Sequence, residues 1–497
     1  WIWTLSEPYG ARDWWPCKDH PSDKADSLDV LITCPANLRA VSQGKLISAT
    51  DNGNGTKTFH WQHRYPISTY LVSLAVTNYG VFSDWYRYSA TDSMEVVNYI
   101  LPSLPAASRQ NLSKAVPMLG IFSDLFGQYP FIREKYGHAQ FGWGGGMEHQ
   151  TITSLGSFSE GIVAHELAHQ WFGDMITMRS WKDIWLNEGF ATYSVALYNE
   201  RRYNWVEYRN YMYGQMNSAR QAVGTIRVAD TTSVSKLFDG RLVYAKGATV
   251  LHMLRRVVGD SVFFAALKSY ATDPRFMFKT ASTEDLQSVF ESVSNMDLSF
   301  FFHQWVYGEN YPRYTVSTSL QSLPAGYRVS VRVQQITGTS NPSCFIMPID
   351  LRLSGMGLDT LITVWNRSQD TTYVVQLPVA PTNVQLDPDD WILKTVMYTP
   401  PTFADNAGIP TELSLSQNYP NPFNPTTQFE FRVPHSGLVE LEIIDLLGRT
   451  IATLVREVLP AGTYTARWNA DGVQSGFYIA RLSAGYTVRT RKLLLLK

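Results

Sequence analysis

The chain has 497 residues, of which 44% are hydrophobic and 17% charged, and its formal net charge is −1. This length exceeds what one hydrophobic core supports, so we expect three or four domains. The near-neutral charge argues against nucleic acid or an anionic membrane as the main partner, and no apolar run is long enough to form a transmembrane segment.

The three cysteines bear on the cellular compartment of the protein. The opening segment bears on whether the chain is truncated. Cys17, Cys34 and Cys344 are too few for a disulfide framework. A Cys17–Cys34 pair requires an oxidising compartment, and buried free thiols are the preferred interpretation. The opening "WIWTLSEPYGARDWWPC" reads as the middle of a domain, so we expect an amino-terminal truncation, and the lack of a visible signal peptide carries little information.

Short alternating runs dominate the first 90 residues, and helical spacing follows them. Runs such as "SLDVLITC" and "TKTFHWQH" are separated by "DNGNG" and proline turns, a pattern typical of β-strands. From about 94 to 312, apolar residues recur every three or four positions, as in "LVYAKGATVLHMLRRVVG", which predicts helices. The segment "STEDLQSVFESVS" begins with a Ser/Thr cap followed by acids, which indicates a helix start.

Three further segments follow the helical region. Residues 314–397 alternate again, as in "YRVSVRVQQI", and predict a small β-sandwich. A stretch rich in Pro, Asn and Thr reads as a linker, and the last 70 residues predict a compact antiparallel sandwich. The predicted fold is multidomain α+β, with segments at 1–90, 91–313, 314–400, 401–427 and 428–497.

Two histidines and a glutamate form a candidate metal site in "GIVAHELAHQWFGDMITMRSWKDIWLNEGFATY". His165 and His169 are four residues apart and face the same side of a predicted helix. Glu188, on a second predicted helix, offers a third ligand, and the fourth position stays open, as in catalytic zinc sites. The alternative is a pair of ordinary helices with polar residues, which the separately placed Glu188 makes less attractive.

Glu166 lies beside the predicted ion, where a general base for its water must sit. Zinc would lower the pKa of that water to roughly 7. Glu166 would accept the proton and return it to the leaving amine. These residues alone specify only metal-assisted hydrolysis.

A glycine-rich stretch, "FGWGGGMEHQTITSL", precedes the metal motif. Consecutive glycines let a backbone approach a ligand closely. Glu148 follows them, and a carboxylate held beside the metal is well placed to bind a cation such as the amino terminus of a peptide. Taken in isolation, the stretch is better described as a flexible loop with a solvated glutamate.

Four blocks together, "GGMEH", "HELAHQWFGD", "WLNEGFATY" and "VYAKGATVLHML", resemble in order and spacing the signature blocks of the gluzincin aminopeptidases, the membrane-alanyl and leucyl aminopeptidase family. The resemblance runs from residue 1 to about 312. It implies the end of a saddle-like β domain, here truncated, followed by a thermolysin-like, mostly helical zinc peptidase domain. It also implies zinc ligation by His165, His169 and Glu188, with Glu166 as general base.

The resemblance further assigns residues around the substrate. Glu148 would bind the substrate amine, Glu7 would take the position of a second amine-binding residue, and Tyr244 would stabilise the oxyanion. Gly145 and Gly146 would contact the substrate backbone. Two carboxylates around one ammonium favour exopeptidase action, because an internal peptide offers no charge to compensate their burial.

The chain departs from the family pattern at three positions. His149 stands where the family block usually ends in Asn, Leu5 where Gln is common, and Asp174 where Asn is frequent. Neither His149 nor Leu5 touches the metal, so we expect activity to survive with an altered side-chain preference or affinity, and we attach no consequence to Asp174. A large helical domain that closes the cleft in many relatives is missing from the chain, which predicts a more open site.

The last 80 residues resemble the carboxy-terminal sorting domains of the bacterial type IX secretion system. The motifs are "YPNPFNP", "DLLGR" and "SGFY". They imply export across an outer membrane, with the secretion machinery as a partner and a secreted or cell-surface location. The alternative is a generic immunoglobulin-like accessory or carbohydrate-binding module.

The sequence therefore predicts a secreted zinc aminopeptidase acting on the amino termini of peptides or proteins. Three different functions remain open beside it: a zincin endopeptidase, an epoxide hydrolase on the same scaffold, and a non-catalytic peptide-binding surface protein.

Overall fold

The computed structural model describes residues 1–403 and 412–497. The chain divides into two compact units. The first comprises Trp1–Ser317, Val331–Tyr373 and Pro381–Thr399, and the second comprises Thr318–Ser330, Val374–Ala380 and Pro400–Lys497.

In the part of the chain that is described, no helix combines the length and the apolar composition needed to cross a membrane. All three cysteines are free thiols, and Cys34 alone of them is buried.

The amino-terminal region is built from strands, as the alternating runs predict for residues 1–90. They are β1 (Ile2–Trp3), β2 (Leu28–Pro35), β3 (Arg39–Val41), β4 (Lys45–Asp51), β5 (Thr56–His63), β6 (Ala75–Thr77), β7 (Gly80–Arg87) and β8 (Ser93–Ile100). Two three-stranded sheets have the orders β1-β6-β3 and β2-β5-β4. Phe59, Trp61 and Val76 belong to the apolar core of this region.

A five-stranded sheet follows, with the order β10-β11-β9-β8-β7. Its later strands are β9 (Tyr136–Gln140), β10 (Gly146–Met147) and β11 (Thr153–Leu155). The helical interpretation of residues 94–155 is therefore wrong over β8 to β11. The reason is that β8 is buried on both faces over Val96–Ile100, so its apolar residues do not alternate.

Helices make up most of the region from residue 106 to residue 305. They are α1 (Ala106–Ser113), α2 (Ala115–Phe126), α3 (Glu160–Ala168), α4 (Trp185–Arg202), α5 (Trp205–Ala219), α6 (Val234–Leu237), α7 (Gly247–Val258), α8 (Asp260–Thr272), α9 (Thr283–Ser294) and α10 (Ser299–Trp305). Short strands β12 (Thr177–Met178) and β13 (Thr280–Ala281) pair in parallel. Helix α9 begins at the predicted cap, where Ser282 and Asp285 form a capping box.

The next region is β-rich, as predicted. Its strands are β14 (Arg313–Leu323), β15 (Gly326–Ile336), β16 (Met347–Gly355), β17 (Leu358–Asn366), β18 (Asp370–Leu377), β19 (Asn383–Leu386) and β20 (Thr395–Tyr398). Strands β17, β16 and β19 form one antiparallel sheet in that order. In β16, Met347, Ile349, Leu351 and Leu353 are fully buried, which follows from their spacing of two residues.

A second sandwich ends the chain. Its strands are β22 (Ser414–Leu415), β23 (Thr426–Val433), β24 (Gly437–Ile444), β25 (Thr450–Leu459), β26 (Gly462–Asn469), β27 (Gly476–Ala484) and β28 (Thr487–Leu495), whereas β21 (Thr402–Phe403) pairs with β14. Two of its sheets have the orders β22-β23-β26 and β25-β24-β27-β28. Leu413, Leu415 and Phe423 are buried in the same core as Phe429 and Trp468. The predicted linker 401–427 thus extends too far, because its last part packs into the sandwich; residues 404–411 lie outside the described residues.

Candidate metal centre

Helices α3 and α4 bring the predicted metal ligands together. His165 lies in the last turn of α3, and His169 caps the end of the same helix. Glu188 lies in the first turn of α4. The His165 Nε2 and His169 Nε2 atoms are 3.1 Å apart. The Glu188 Oε2 atom lies 3.3 Å from each of these nitrogens.

These three separations match the edges of a coordination tetrahedron. A tetrahedral zinc ion with bonds of about 2.0–2.1 Å holds its ligand atoms about 3.3 Å apart. A second contact orients one imidazole, since His169 Nδ1 lies 3.1 Å from the Phe172 carbonyl oxygen and leaves Nε2 facing the other ligands. The donor set therefore fits zinc in type and in geometry.

Burial and charge act differently on the three ligand groups. Burial lowers the pKa of His165. At His169, burial also acts to lower the pKa, but the carboxylates of Glu148 and Glu188 outweigh it and raise the pKa well above the usual range. Burial opposes ionisation of Glu188, and the His169 charge reverses that effect and lowers the pKa of Glu188 to about 2. The carboxylates thus favour a positive charge in the pocket.

Glu166 lies on α3 beside the triad and is 6% exposed. Its Oε2 atom has no hydrogen-bond partner among the described residues. Burial raises the pKa of Glu166 well above the usual range, the His169 charge opposes this, and Glu148 and Glu188 add to it. A Cβ atom on Gly146 would overlap the Glu166 carboxylate, so a side chain there would displace it. Burial without a partner thus favours a protonated Glu166 inside the site.

Two more carboxylates lie next to the triad. Ligand oxygens of Glu7, Glu148 and Glu188 all lie within 4.8 Å of one another. Glu7 and Glu148 each have an oxygen with no hydrogen-bond partner in the described part of the chain. Burial raises the pKa of both groups, and at Glu7 the Glu148 charge raises it further. Such a pair is stabilised by a bound cation.

Tyr244 approaches the site from a π-helical turn, Gly240–Lys246, that leads into α7. Its ring stacks on His165, with centroids 6.0 Å apart and planes 19° from parallel. Burial raises the pKa of the phenol well above its usual range, and the Glu188 and Glu7 charges add to this. The hydroxyl therefore remains protonated and can donate a hydrogen bond.

These groups line a single cavity of about 620 Å³. The predicted site residues in its wall are Glu7, Gly146, Glu148, His165, Glu166, His169, Glu188 and Tyr244, together with Leu5. Gly145 lies next to this wall and accepts hydrogen bonds from Gly156 and Ser157. The structure thus gathers into one place residues that are up to 237 positions apart, from Glu7 to Tyr244.

Three regions of the chain match known protein families. Residues 149–305 match the peptidase family M1 domain, and residues 1–71 match the peptidase M1 N-terminal domain. Residues 417–496 match the secretion system C-terminal sorting domain.

Individual relatives agree with these matches. Aminopeptidase M1-C of Oryza sativa is 29% identical over 374 residues, which is 70% of this chain and 41% of that protein. The chain thus spans about two fifths of the length of this curated relative. The M1 zinc metallopeptidase of Deinococcus radiodurans is 31% identical in its crystal structure, with a TM-score of 0.57, covering 62% of this chain and 69% of that one. The chain belongs to peptidase family M1.

Two other solved structures extend the comparison with family M1. A variant of the Deinococcus radiodurans enzyme was crystallised with a Tyr-Ser-Ala substrate. Legionella pneumophila aminopeptidase A has a TM-score of 0.69 at 19% identity, covering 80% of this chain and 48% of that one. This second likeness supports the M1 fold: a β-rich amino-terminal domain, a helical catalytic domain and a β-rich carboxy-terminal region.

The departures from the M1 pattern are accommodated inside the fold. The buried His149 ring places Nδ1 2.8 Å from Ser154 Oγ. Asp174 accepts a hydrogen bond of 2.7 Å from Gln170 Nε2, and burial followed by the Glu148 charge raises its pKa well above the usual range. Leu5 alone of the three lines the cavity.

The sequence patterns did not single out the apolar part of the cavity wall. That wall consists of Trp3, Trp143, Met147, Val234 and Phe238. Trp3 has a signal in the sequence, since it lies two positions before Leu5 and four before Glu7 and shares their face of an extended segment. Val234 and Phe238 have none, because only the tertiary fold brings them to this M1 site.

Proposed function

We propose that this M1 peptidase is an exported, zinc-dependent aminopeptidase that removes residues from the amino termini of peptides. The observation that carries the proposal is the position of Glu7 and Glu148, whose carboxylate oxygens lie within 4.8 Å of the Glu188 oxygen of the metal triad. A peptide whose ammonium binds this pair has its first carbonyl next to the triad. Cleavage then falls after the first residue.

Zinc would be held by His165, His169 and Glu188. The support is the tetrahedral spacing of their ligand atoms and the open side that faces the cavity. Zinc bound there would supply Lewis acidity, which polarises the carbonyl and makes water nucleophilic at neutral pH.

Glu166 is proposed as the general base. Its raised pKa suits a group that takes a proton from water and returns it to the departing amine within one turnover. Tyr244 is proposed to donate a hydrogen bond to the negative charge that develops on the carbonyl oxygen. Its protonated hydroxyl and its stacking on His165 support this role.

Glu7 and Glu148 are proposed to bind the terminal ammonium. An ammonium offers each carboxylate a charge-assisted hydrogen bond and offsets the mutual repulsion of two buried acids. The backbone of Gly145 and Gly146 is proposed to contact the substrate chain, because Gly146 belongs to β10 at the edge of its sheet. An edge strand offers unpaired peptide groups to an extended peptide.

The carboxy-terminal sorting domain supports export by the type IX secretion system. We propose that the secretion machinery recognises this domain and that the peptidase acts outside the outer membrane. Peptides in the surroundings of the cell are then its substrates.

Amino-terminal blocking tests the proposal directly. Leucine p-nitroanilide and its N-acetyl derivative differ only in the amine, so an aminopeptidase hydrolyses the first and leaves the second intact. Activity on the acetylated compound, or on an internal bond of a blocked peptide, would instead establish an endopeptidase. A chelator should abolish hydrolysis, and added zinc should restore it.

The lining of the cavity disfavours both an epoxide hydrolase and a non-catalytic binding protein. An epoxide hydrolase for acidic lipids requires a cationic pocket, and the cavity-lining residues that the structure describes include neither Lys nor Arg. A non-catalytic binding protein would have no need of Glu166, whose carboxylate faces the cavity from beside the triad. Lipid epoxides should therefore not be turned over.

A further inference from the structure

The apolar wall of the cavity contains two tryptophans that the metal chemistry does not use. Trp3 and Trp143 line the cavity. They are joined by Phe141, whose ring centroid lies 5.3 Å from that of Trp3 and 6.0 Å from that of Trp143, both in edge-to-face geometry. Trp143 remains 50% exposed, although a large aromatic side chain gains free energy by burial.

Two glycines pack closely against Trp143. A Cβ atom on Gly145 would overlap the Trp143 indole ring, and one on Gly156 would overlap the Trp143 carbonyl oxygen. Gly156 N also donates a 2.8 Å hydrogen bond to the Gly145 carbonyl, which closes the loop around the tryptophan. By contrast, a Cβ on the neighbouring Gly144 would meet nothing within 4 Å. The lack of a side chain at Gly145 and Gly156 thus leaves the room that Trp143 occupies at the cavity.

The position of the first side chain follows from the substrate's covalent structure. Its Cα atom lies between the ammonium and the carbonyl, so the side chain starts between the carboxylate pair and the triad. Leu5 lies two residues before Glu7, Met147 directly precedes Glu148, and both line the cavity. The side chain therefore leaves the acidic groups along an apolar surface that continues to the tryptophans.

We infer that Trp143 and Trp3, joined by Phe141, form an aromatic wall that selects peptides with a large apolar first residue. This inference rests on the proposed aminopeptidase function and names its substrate class. Acidic first residues are rejected, because the described lining offers no cation and the four glutamates repel them. Basic first residues are disfavoured, since those glutamates are already engaged by the metal, the proton transfer and the terminal ammonium.

A panel of p-nitroanilides tests the inference, with phenylalanine, leucine, alanine, arginine and glutamate as the amino acid. We expect kcat/KM for phenylalanine to exceed that for alanine by about tenfold or more. Trp143→Ala should lower this ratio about three- to tenfold, and Trp143→Phe should restore most of it. Trp85→Ala is the matched control, because Trp85 is 61% exposed on β7 and does not line the cavity.

A binding measurement separates this inference from the proposed function. Calorimetry on the Glu166→Gln variant with phenylalaninamide and alaninamide reports side-chain preference without turnover. Suppose that no anilide is cleaved, but phenylalaninamide binds more tightly than alaninamide and Trp143→Ala removes the difference. The proposed function is then wrong, and the inference about the aromatic wall is supported. An equal loss of kcat/KM for all substrates in Trp143→Ala would overturn the inference. A preference of the parent protein for arginine or alanine would also overturn it.

Discussion

Gly189 and Gly247 touch where helix α4 crosses helix α7. A Cβ atom on Gly189 would lie 3.0 Å from the Gly247 Cα atom, and a Cβ on Gly247 would lie 3.0 Å from the Gly189 Cα atom. Glu188 directly precedes the first glycine, and Tyr244 lies three residues before the second. The close crossing therefore sets the separation between the proposed third metal ligand and the proposed oxyanion donor.

We predict that Gly247→Ala pushes α4 and α7 apart. The overlap should destabilise the fold by about 1–3 kcal/mol, as overpacking does, and should lower kcat more than it raises KM. Urea unfolding and steady-state kinetics measure the two effects. Gly214→Ala is the matched control, since its added Cβ in α5 meets nothing within 4 Å and should stabilise the helix slightly. Equal behaviour of the two variants would refute the positioning role of the crossing.

Removal of the third ligand should release the metal. In Glu188→Ala the two histidines remain, but a site with two protein ligands binds zinc far more weakly. We expect about one zinc per chain in the parent protein and much less in the variant after dialysis, measured by elemental analysis. The exposed Glu207, on α5, gives the control variant Glu207→Ala, which should keep its zinc. Full retention of zinc by Glu188→Ala would show that another residue supplies the ligand.

Buried Lys135 should make stability depend on pH. Burial lowers its pKa to about 7, although Glu134 and Glu95 oppose this. Between pH 7 and the unfolded pKa near 10.4, the unfolded chain binds a proton that the folded chain lacks, so the free energy of unfolding rises with pH across that window. Below pH 7 both states are protonated and the effect is constant.

Lys135→Met should therefore reduce the rise in the free energy of unfolding between pH 7 and about 10.4 by an amount on the order of a few kcal/mol. Urea unfolding at several pH values measures the difference between parent and variant. The exposed Lys268 on α8 provides the control Lys268→Met, which should keep the slope of the parent. If the Lys135→Met curve ran parallel to that of the parent, the lysine would be charged in the folded protein.

The carboxy-terminal sandwich should depend on Phe423, within the predicted linker. Its ring is 2% exposed and lies 5.4 Å from the Trp468 ring between centroids. Phe423→Ala should destabilise the sandwich by about 3–5 kcal/mol. Tyr419 in the same segment is 79% exposed, so Tyr419→Ala should change stability little. Limited proteolysis of the two variants distinguishes a packed segment from a linker, which would tolerate both changes equally.

Local spacing made the metal triad predictable in part. The four-residue step from His165 to His169 places both rings on one helix face whatever surrounds them. The approach of Glu188 depends on how α3 and α4 pack, so the sequence alone offered it only as a candidate third ligand on a second predicted helix, and the family resemblance supported that choice. Trp143 and Phe238 were missed because no local pattern marks a cavity wall assembled from distant segments.

Two element boundaries were also missed because they depend on tertiary packing. Strand β8 was missed because a strand buried on both faces loses its alternation. The beginning of the last sandwich was missed because the Pro- and Asn-rich composition around Phe423 is that of a linker, whereas its packing is that of a core. Composition describes the local chain, and these outcomes depend on tertiary contacts.

The decisive variant for zinc-dependent hydrolysis is Glu166→Gln, because glutamine keeps the shape of the side chain and cannot accept a proton. Hydrolysis of leucine p-nitroanilide should be measured in parent and variant, with the zinc content of both determined on the same samples. We expect unchanged zinc and a kcat lower by about 10²–10⁴-fold. A variant that retains zinc and hydrolyses the substrate at the rate of the parent would contradict the role of Glu166 as general base.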